Sequence, residues 1–456
     1  MAQKLNVNAL LHQAGYGARK DFGAIAKWAA AQNYQNFEKL VIGVKAQFGE
    51  AMTVIPLRDE PVPFQKFLPD ELPVDSGAMD QMKKAMRLPV AAGGALMPDC
   101  HQGYALPIGG VAALDGAISP GFVGFDIGCR MHLSAFNPAV LSPDVLDDRR
   151  SREGLMDHLI NSTSFGLGSV AGTVDHPVMH DPLWAQIRTL KDLKAIAREQ
   201  LGSQGAGNHF ADLVVAEMLV DHPVLGKAGT RFVALMTHSG SRKAGNLLGR
   251  HYANLADAES HSAGYKVEKD YGFLLLDSEA GQEYFKVMTL MGSYAQANHQ
   301  IVHARFTENA GLKTGILAEF ENHHNFAWLE NGLVVHRKGA TPAGKGIPGI
   351  IPGSSGAASY LVEGLGNPDS FNSASHGAGR PHSRSQAKRL YDEAEFKKRM
   401  KSLGISYYGI APDETFAAYK DIDIVMGAQQ NLVRPIARML PRVVVMGGNM
   451  QSDDGD

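Results

Sequence analysis

Apolar residues change their spacing along this chain near residue 90. Before it they recur at helical intervals, first through Phe22–Ala30 and then through Phe37, Leu40, Val41 and Val44. Pro61-Val62-Pro63-Phe64 then imposes an extended segment, because each proline also restricts the residue before it. Beyond residue 90 the apolar runs shorten and glycine and proline punctuate them. Val111–Leu114, Phe232–Met236 and Val443–Met446 read as strands, and Leu88–Ala91 as a weaker one that Pro89 would confine to an edge. Ser142-Pro143 supplies a cap and a first-turn proline for a helix running to about Leu159. Asp181-Pro182 repeats the device, with Leu183, Ile187, Leu190, Leu193, Ala197 and Leu201 as one stripe and Gly202 as the stop. A third helix is predicted from about Glu279 to Phe306. Long helices and scattered strands without regular βαβ alternation make the fold class α+β. The pattern divides the chain into a small appendage over residues 1–70 and one large domain over 71–456.

Composition narrows this picture. The 456 residues can bury a sizeable core, and 44% hydrophobic with 20% charged residues is ordinary for a globular chain. A net charge of −3 carries no global signature of nucleic-acid binding, so an RNA or DNA partner would have to meet a local basic patch. Two cysteines, Cys100 and Cys129, make no disulfide framework and point to a reducing, cytoplasmic setting. The amino end lacks the apolar core of a signal peptide, and no stretch reaches the roughly 18 apolar residues of a membrane span. The acidic end Asp453–Asp456 reads as a solvated tail.

The chemistry gathers in glycine-rich loops. In Ser373–Arg380 a single histidine, His376, lies among small residues, with Arg380 four places on. Gly377 and Gly379 let the backbone approach a bulky ligand, and the guanidinium offers a planar fork to phosphate. Such a histidine can be a nucleophile toward phosphorus, a metal ligand or a turn residue. Asp126 and Cys129 bring a carboxylate and a thiolate within reach of one ion, while His209, His238 and His324 each stand in a polar loop beside a predicted element. Five donors exceed one tetrahedral shell and imply two ions sharing a ligand; thiolate and imidazole alone would favour zinc. Gly353–Gly356 and Gly240-Ser241-Arg242 are candidate anion loops or plain turns. Arg242, Arg337, Lys338, Arg380 and Arg384 are either phosphate partners or a solvated face. Together these residues point to metal-dependent phosphoryl or nucleotidyl transfer, with metal-dependent phosphoester hydrolysis close behind.

In this order, Pro98–Gly103, Asp126–Cys129, Gly207–Phe210, His238–Arg242, His323–Asn325, Arg337–Ala340, Pro352–Ser354 and Ser375–Arg380 resemble the RtcB family of RNA-splicing ligases. The resemblance runs from about residue 90 to 448. It implies a single large catalytic domain of mixed sheets flanked by helices. It also implies a GTP- and manganese-dependent enzyme joining an RNA 3′-phosphate or 2′,3′-cyclic phosphate to a 5′-hydroxyl, with archease as a candidate activating partner. On the matching positions it makes Asp126, Cys129, His209, His238 and His324 ligands of two manganese ions, replacing the zinc expectation, and His376 the residue that carries GMP. It assigns Asn208, Phe210, Ala211, Asp212, Asn325, Pro352, Gly353, Ser354, Ser355, Ser359, Gly377, Ala378, Gly379 and Tyr419 to the nucleotide, and Arg242 and Arg380 to RNA or phosphate. The alternative is a phosphodiesterase or end-healing hydrolase that does not ligate. The chain departs from the family's usual pattern at three places: Asp212 stands for Glu, Arg130 for Gly, and Met446 for Lys.

Overall fold

A computed structural model describes residues 6–448 except positions 17, 18, 20, 33, 35, 52–54, 73, 74, 167 and 173. The first residues of the amino end and the acidic tail Asp453–Asp456 lie outside the described residues. Helices α1 (Val7–Gln13), α2 (Phe22–Ala31) and α3 (Phe37–Phe48) close on their own apolar cluster of Leu11, Tyr16, Ile25, Ala29, Leu40 and Val44. Asn36 caps α3 by accepting from the Lys39 N–H, which fixes where the second amphipathic run begins. After α4 (Ser76–Met86), α5 (Arg149–Ser162), α6 (Arg188–Gln200) and α7 (Arg242–Ser262) comes the 31-residue α8 (Glu279–Asn309), about 46 Å long at 1.5 Å per residue. Helices α6, α7 and α8 pack through Leu190, Leu248, Tyr252, Tyr284, Val287 and Met291 into the largest apolar cluster.

Two of the predicted helices start differently. Ser142-Pro143 opens only a 3₁₀ turn, Pro143–Leu146; Asp148 then caps α5 by accepting from the Ser151 N–H, so a second cap restarts the helix. The stripe from Leu183 to Leu201 is right, but Ile187 is extended (φ −97°, ψ 123°) and splits it into a single turn, Leu183–Gln186, and α6. That break lets Ile187 enter the core beside Trp184. Pro89 lies in a turn, and the strand begins at Ala91, after it.

Along the chain the main strands are β1 (Phe64–Lys66), β2 (Ala91–His101), β3 (Ile108–Asp115), β4 (Arg130–Phe136), β5 (Phe210–Met218), β6 (Arg231–Ser239), β7 (Ile316–His323), β8 (Phe326–Glu330), β9 (Leu333–Lys338), β10 (Pro348–Ile351), β11 (Ser359–Gly364) and β12 (Val433–Met446). One mixed sheet has the order β1-β2-β3-β9-β8 and a larger one the order β7-β4-β6-β5-β12-β11-β10. The edges of the larger sheet come together where Asn322 exchanges hydrogen bonds with the backbone of Ile350 at 2.9 and 3.2 Å, so it is nearly closed. Val443–Met446 is only the end of β12, whose register shifts at Pro441; a bulge there accommodates a proline that an apolar-run reading stops at. The chain passes between the sheets through His323-His324-Asn325, and the ribbon of Ala340–Pro342 with Ser373–Ser375 lies alongside. This seam holds the site. Among the described residues no helix is long and apolar enough to cross a membrane.

Candidate active site

Asp126–Cys129 is a tight turn entering β4. Gly128 takes φ 68°, and a Cβ there would come 2.8 Å from the Gly292 Cα of α8, so the turn can press against the helix only as glycine. Its N–H donates to the Asn325 carbonyl at 2.9 Å, tying the turn to the seam. Gly240 is glycine for a related reason: a Cβ would overlap the Asp126 carboxylate. The side chains converge from four segments. Cys129 Sγ lies 3.1 Å from His238 Nε2 and 3.5 Å from His209 Nε2. His209 Nε2 is 3.1 Å from Asp126 Oδ2, and His238 Nε2 is 3.2 Å from His324 Nε2. The donors form two groups, Asp126-Cys129-His209 and Cys129-His238-His324, that share the thiol. Each group fits one divalent ion, and the shared sulfur fits a bridging ligand.

The surroundings favour ligation. Burial, then the neighbouring His209, push His238 down to about 3; burial and the imidazoles of His376 and His238 hold His324 well below its usual range. Both rings are therefore neutral donors at pH 7. Burial opposes ionisation of Asp126, but hydrogen bonding to His209, its charge and that of Arg242 keep the carboxyl below its usual range. Cys100 is different: burial pushes its thiol up to about 12, so it stays protonated.

His376 stands next to this cluster, its ring 4.7 Å from that of His324. Its Nδ1 is 2.8 Å from Oδ2 of Asp99, a fully buried carboxylate on β2. Nδ1–H donates to the carboxylate, which leaves the Nε2 lone pair for the cleft. Gly379 (φ 72°) lies so close that a Cβ would overlap the Asp99 carbonyl oxygen, whereas a Cβ on Gly377 would meet only ordinary contacts, the nearest at 3.4 Å. A cleft joins His376 to Asp126, Cys129, His238 and His324, with Asn208, Asn325, Lys338 and Arg380 on its walls.

A second, small cavity shares Phe210, Pro352, Gly353 and Tyr419 with that cleft and continues to Asp212, Ser354, Ser355, Ser359 and Met446. Phe210 and Asp212 face it, while Ala211 between them packs into the opposite apolar core with Leu213 and Val445, so only its backbone can serve a ligand. Ser359 Oγ accepts from the Gly353 N–H at 3.1 Å and shapes the loop.

Residues 81–447 match the family model described as tRNA-splicing ligase RtcB. The chain belongs to the RtcB family. It is 31% identical over 403 residues to the RNA-splicing ligase RtcB of Escherichia coli K12, covering 82% of this chain and 95% of that one. It is also 31% identical over 463 residues to the tRNA-splicing ligase RtcB of Thermococcus kodakarensis, covering 83% and 95%. The tRNA-splicing ligase RtcB of Methanococcus maripaludis is 31% identical over 423 residues, covering 77% and 87%.

Within this RtcB-family site, four of the five cations named from the sequence, Arg242, Arg337, Lys338 and Arg380, are buried, while Arg384 is partly exposed and pairs with Asp413 at 3.3 Å. Arg337 is buried against Glu330 at 2.7 Å and under the Trp328 ring, and buried Lys338 reaches the cleft. Arg380 donates to Glu414 at 2.6 Å and to the Tyr419 hydroxyl at 3.0 Å, stiffening the wall between the two cavities. Arg242 (φ 57°) occupies the space a Cβ on Gly205 would need, and its charge acts on Asp126. Asp99, His101 and Glu414 have no assigned role in the sequence reading, whereas Lys338 is one of its candidate phosphate partners. Asp99 and His101 lay inside a quoted motif, but Glu414 had no local signal.

Asp212 is buried, one carboxyl oxygen has no hydrogen-bond partner, and burial raises its pKa well above the carboxylate range despite a bond from the Val445 backbone. With the folded pKa above the unfolded value of about 3.9, the folded state binds the extra proton. Stability is therefore full below about pH 4 and falls as pH rises toward the folded pKa, by about 1.4 kcal/mol per pH unit. Asp212→Asn should unfold at a higher temperature than wild type at pH 7, and the difference should vanish near pH 4. Equal melting differences at both pH values would contradict a raised pKa at Asp212.

Proposed function

We propose that this RtcB-family protein is an RNA ligase that uses GTP and two manganese ions and carries GMP on His376. The observation that supports this best is the Asp99–His376 pair aimed into a cleft beside two metal-competent groups. Asp126, Cys129, His209, His238 and His324 would hold the ions, which when bound neutralise triphosphate charge and polarise phosphoryl oxygens. Asp99 fixes the ring so that Nε2 can attack the α-phosphorus of GTP; an N–P bond forms and the bond to pyrophosphate breaks. An oxygen of the RNA 3′-phosphate next displaces the histidine and takes GMP, and a cyclic phosphate must first be opened by water. The RNA 5′-hydroxyl then attacks the activated phosphate, GMP leaves, and the phosphodiester is complete. Phe210, Asp212, Ser354, Ser355, Ser359 and Tyr419 would enclose the guanosine, with Gly377–Gly379 under the phosphates. In this reading Arg242 acts through Asp126, and Arg380 through the pocket wall and the approaching RNA.

Incubating the protein with manganese and GTP labelled at the α-phosphate should leave label on the chain that survives alkali and is lost in acid. RNA ends carrying 3′-phosphate and 5′-hydroxyl should join only when GTP is present. Cyclic-phosphate turnover without GTP and without joined product would establish the hydrolase instead. Asp99→Asn should slow guanylylation about 10²- to 10⁴-fold with a smaller change in KM for GTP, because it loses ring orientation rather than binding. An unchanged rate would remove Asp99 from the reaction.

A further inference from the structure

We propose that His132, His303 and Glu319 form a binding site for one divalent transition-metal ion, separate from the Cys129 centre and lying on the other side of the strands that carry it. The site follows from strand alternation. Arg130, His132 and Ser134 share one face of β4, and the register sets Glu321 of β7 and Thr237 of β6 beside His132, with Glu319 beside Ser134. Over this face α8 lays Gln296, His299 and His303, at helical spacing, where a helix packed on a sheet ordinarily presents apolar side chains. Burying this many polar groups is costly unless each is hydrogen-bonded or bound to an ion, and His132 Nδ1 has no hydrogen-bond partner.

The donor atoms of His132, His303 and Glu319 lie within 4.8 Å of one another. His132 Nε2 is 3.2 Å from Glu319 Oε1, and the two imidazole rings meet edge to face at 4.4 Å. His303 Nε2 is 2.8 Å from Thr237 Oγ1, which leaves Nδ1 on the side of Ser134 Oγ at 2.7 Å, and that hydroxyl is 2.9 Å from the Glu319 carboxylate. The supporting contacts are those that orient ligands. His132 Nδ1 is buried without a hydrogen-bond partner and faces Glu321 Oε2 at 3.7 Å, while Arg130 donates to the same carboxylate at 2.8 Å. Glu319 is half exposed, which gives an ion a route in from the sheet edge. Two imidazoles, a carboxylate and a serine hydroxyl suit zinc-like ions better than magnesium or calcium. An ion here would join β4, β7 and α8 behind Cys129 and His238, holding the strands that bear them.

Cobalt(II) distinguishes the two centres, because only the Cys129 centre has a thiolate and therefore a thiolate-to-cobalt charge-transfer band. The full-length Cys129→Ala protein should lose that band yet still bind one equivalent of cobalt with weak d–d absorption. Adding Glu319→Gln to it, a change at a half-exposed position, should weaken that remaining binding at least 100-fold (about 2.7 kcal/mol). In otherwise unaltered protein, Glu319→Gln and His132→Gln should each lower zinc stoichiometry by one equivalent in equilibrium dialysis and leave the cobalt charge-transfer band intact. If Cys129→Ala binds no cobalt, or if Glu319→Gln leaves zinc stoichiometry unchanged, the residues form only a hydrogen-bonded network and the proposal fails. Neither result depends on ligase activity or on GTP.

Discussion

His376→Ala should take no label from α-labelled GTP and should join RNA ends at least about 10³-fold more slowly than wild type, since no other group replaces a lost nucleophile. The ring stands between the cleft on one side and the buried carboxylate of Asp99 on the other. Its Nδ1 is committed to Asp99 at 2.8 Å, Gly339 packs beside the ring, and Gly379 packs against the Asp99 backbone. His101 also lines the wall, with its Nδ1 3.0 Å from the Asp99 carbonyl rather than on the carboxylate that holds His376. His376 belongs to neither metal-competent group, so His376→Ala should keep its full metal content. Normal metal content with lost label assigns the defect to the nucleophile. Persistent labelling of His376→Ala would place the covalent step elsewhere or remove it.

The second large effect is expected at Cys129. Its sulfur is the one donor common to both groups, with His238 Nε2 at 3.1 Å and His209 Nε2 at 3.5 Å. Cys129→Ala should weaken manganese binding at both positions, by at least about 100-fold each, which exceeds the range seen when only a supporting partner of a ligand is lost. Asp126→Asn should chiefly weaken the position shared with His209, and His324→Ala chiefly the position shared with His238. Manganese titration followed by electron paramagnetic resonance reads both stoichiometry and coupling between ions. A coupled two-ion signal surviving in Cys129→Ala would show that the thiol does not bridge. Guanylylation should fall with metal occupancy in all three variants, while the melting transition of the metal-free proteins changes much less.

Much of this protein can be read locally. Periodicity located α2, α3, α6 and α8 because a helix has to bury one stripe, and that stripe is written at every third or fourth residue; α5 was signalled only by a cap lying one turn upstream. The short apolar runs located parts of β3, β6 and β12 because those stretches are buried on both faces and so are apolar at consecutive positions. The five donors and His376 were candidates in the sequence because they stand in glycine-rich loops in the order of the RtcB motifs, while their residue types alone left turn and structural roles open. The family model matches residues 81–447.

What sequence could not supply were the pairings across long separations. Asp99 and His376 are 277 positions apart, and nothing near either predicts the other. Arg337 and Lys338 look like surface charge in sequence, and only the seam between the sheets buries them. Ile187 breaks a helix that its own stripe would continue, because entry into the core outweighs local helical preference. Arg130 shows the division most clearly. In sequence it is a cation next to the metal-site cysteine, but strand alternation turns it to the opposite face, onto Glu321 and toward the histidines of α8. Local sequence thus determined which elements form and which side chains carry chemistry. Tertiary structure alone decided which carboxylate orients which histidine and which charges are buried, since those depend on contacts whose cost is met only when distant segments close on one another.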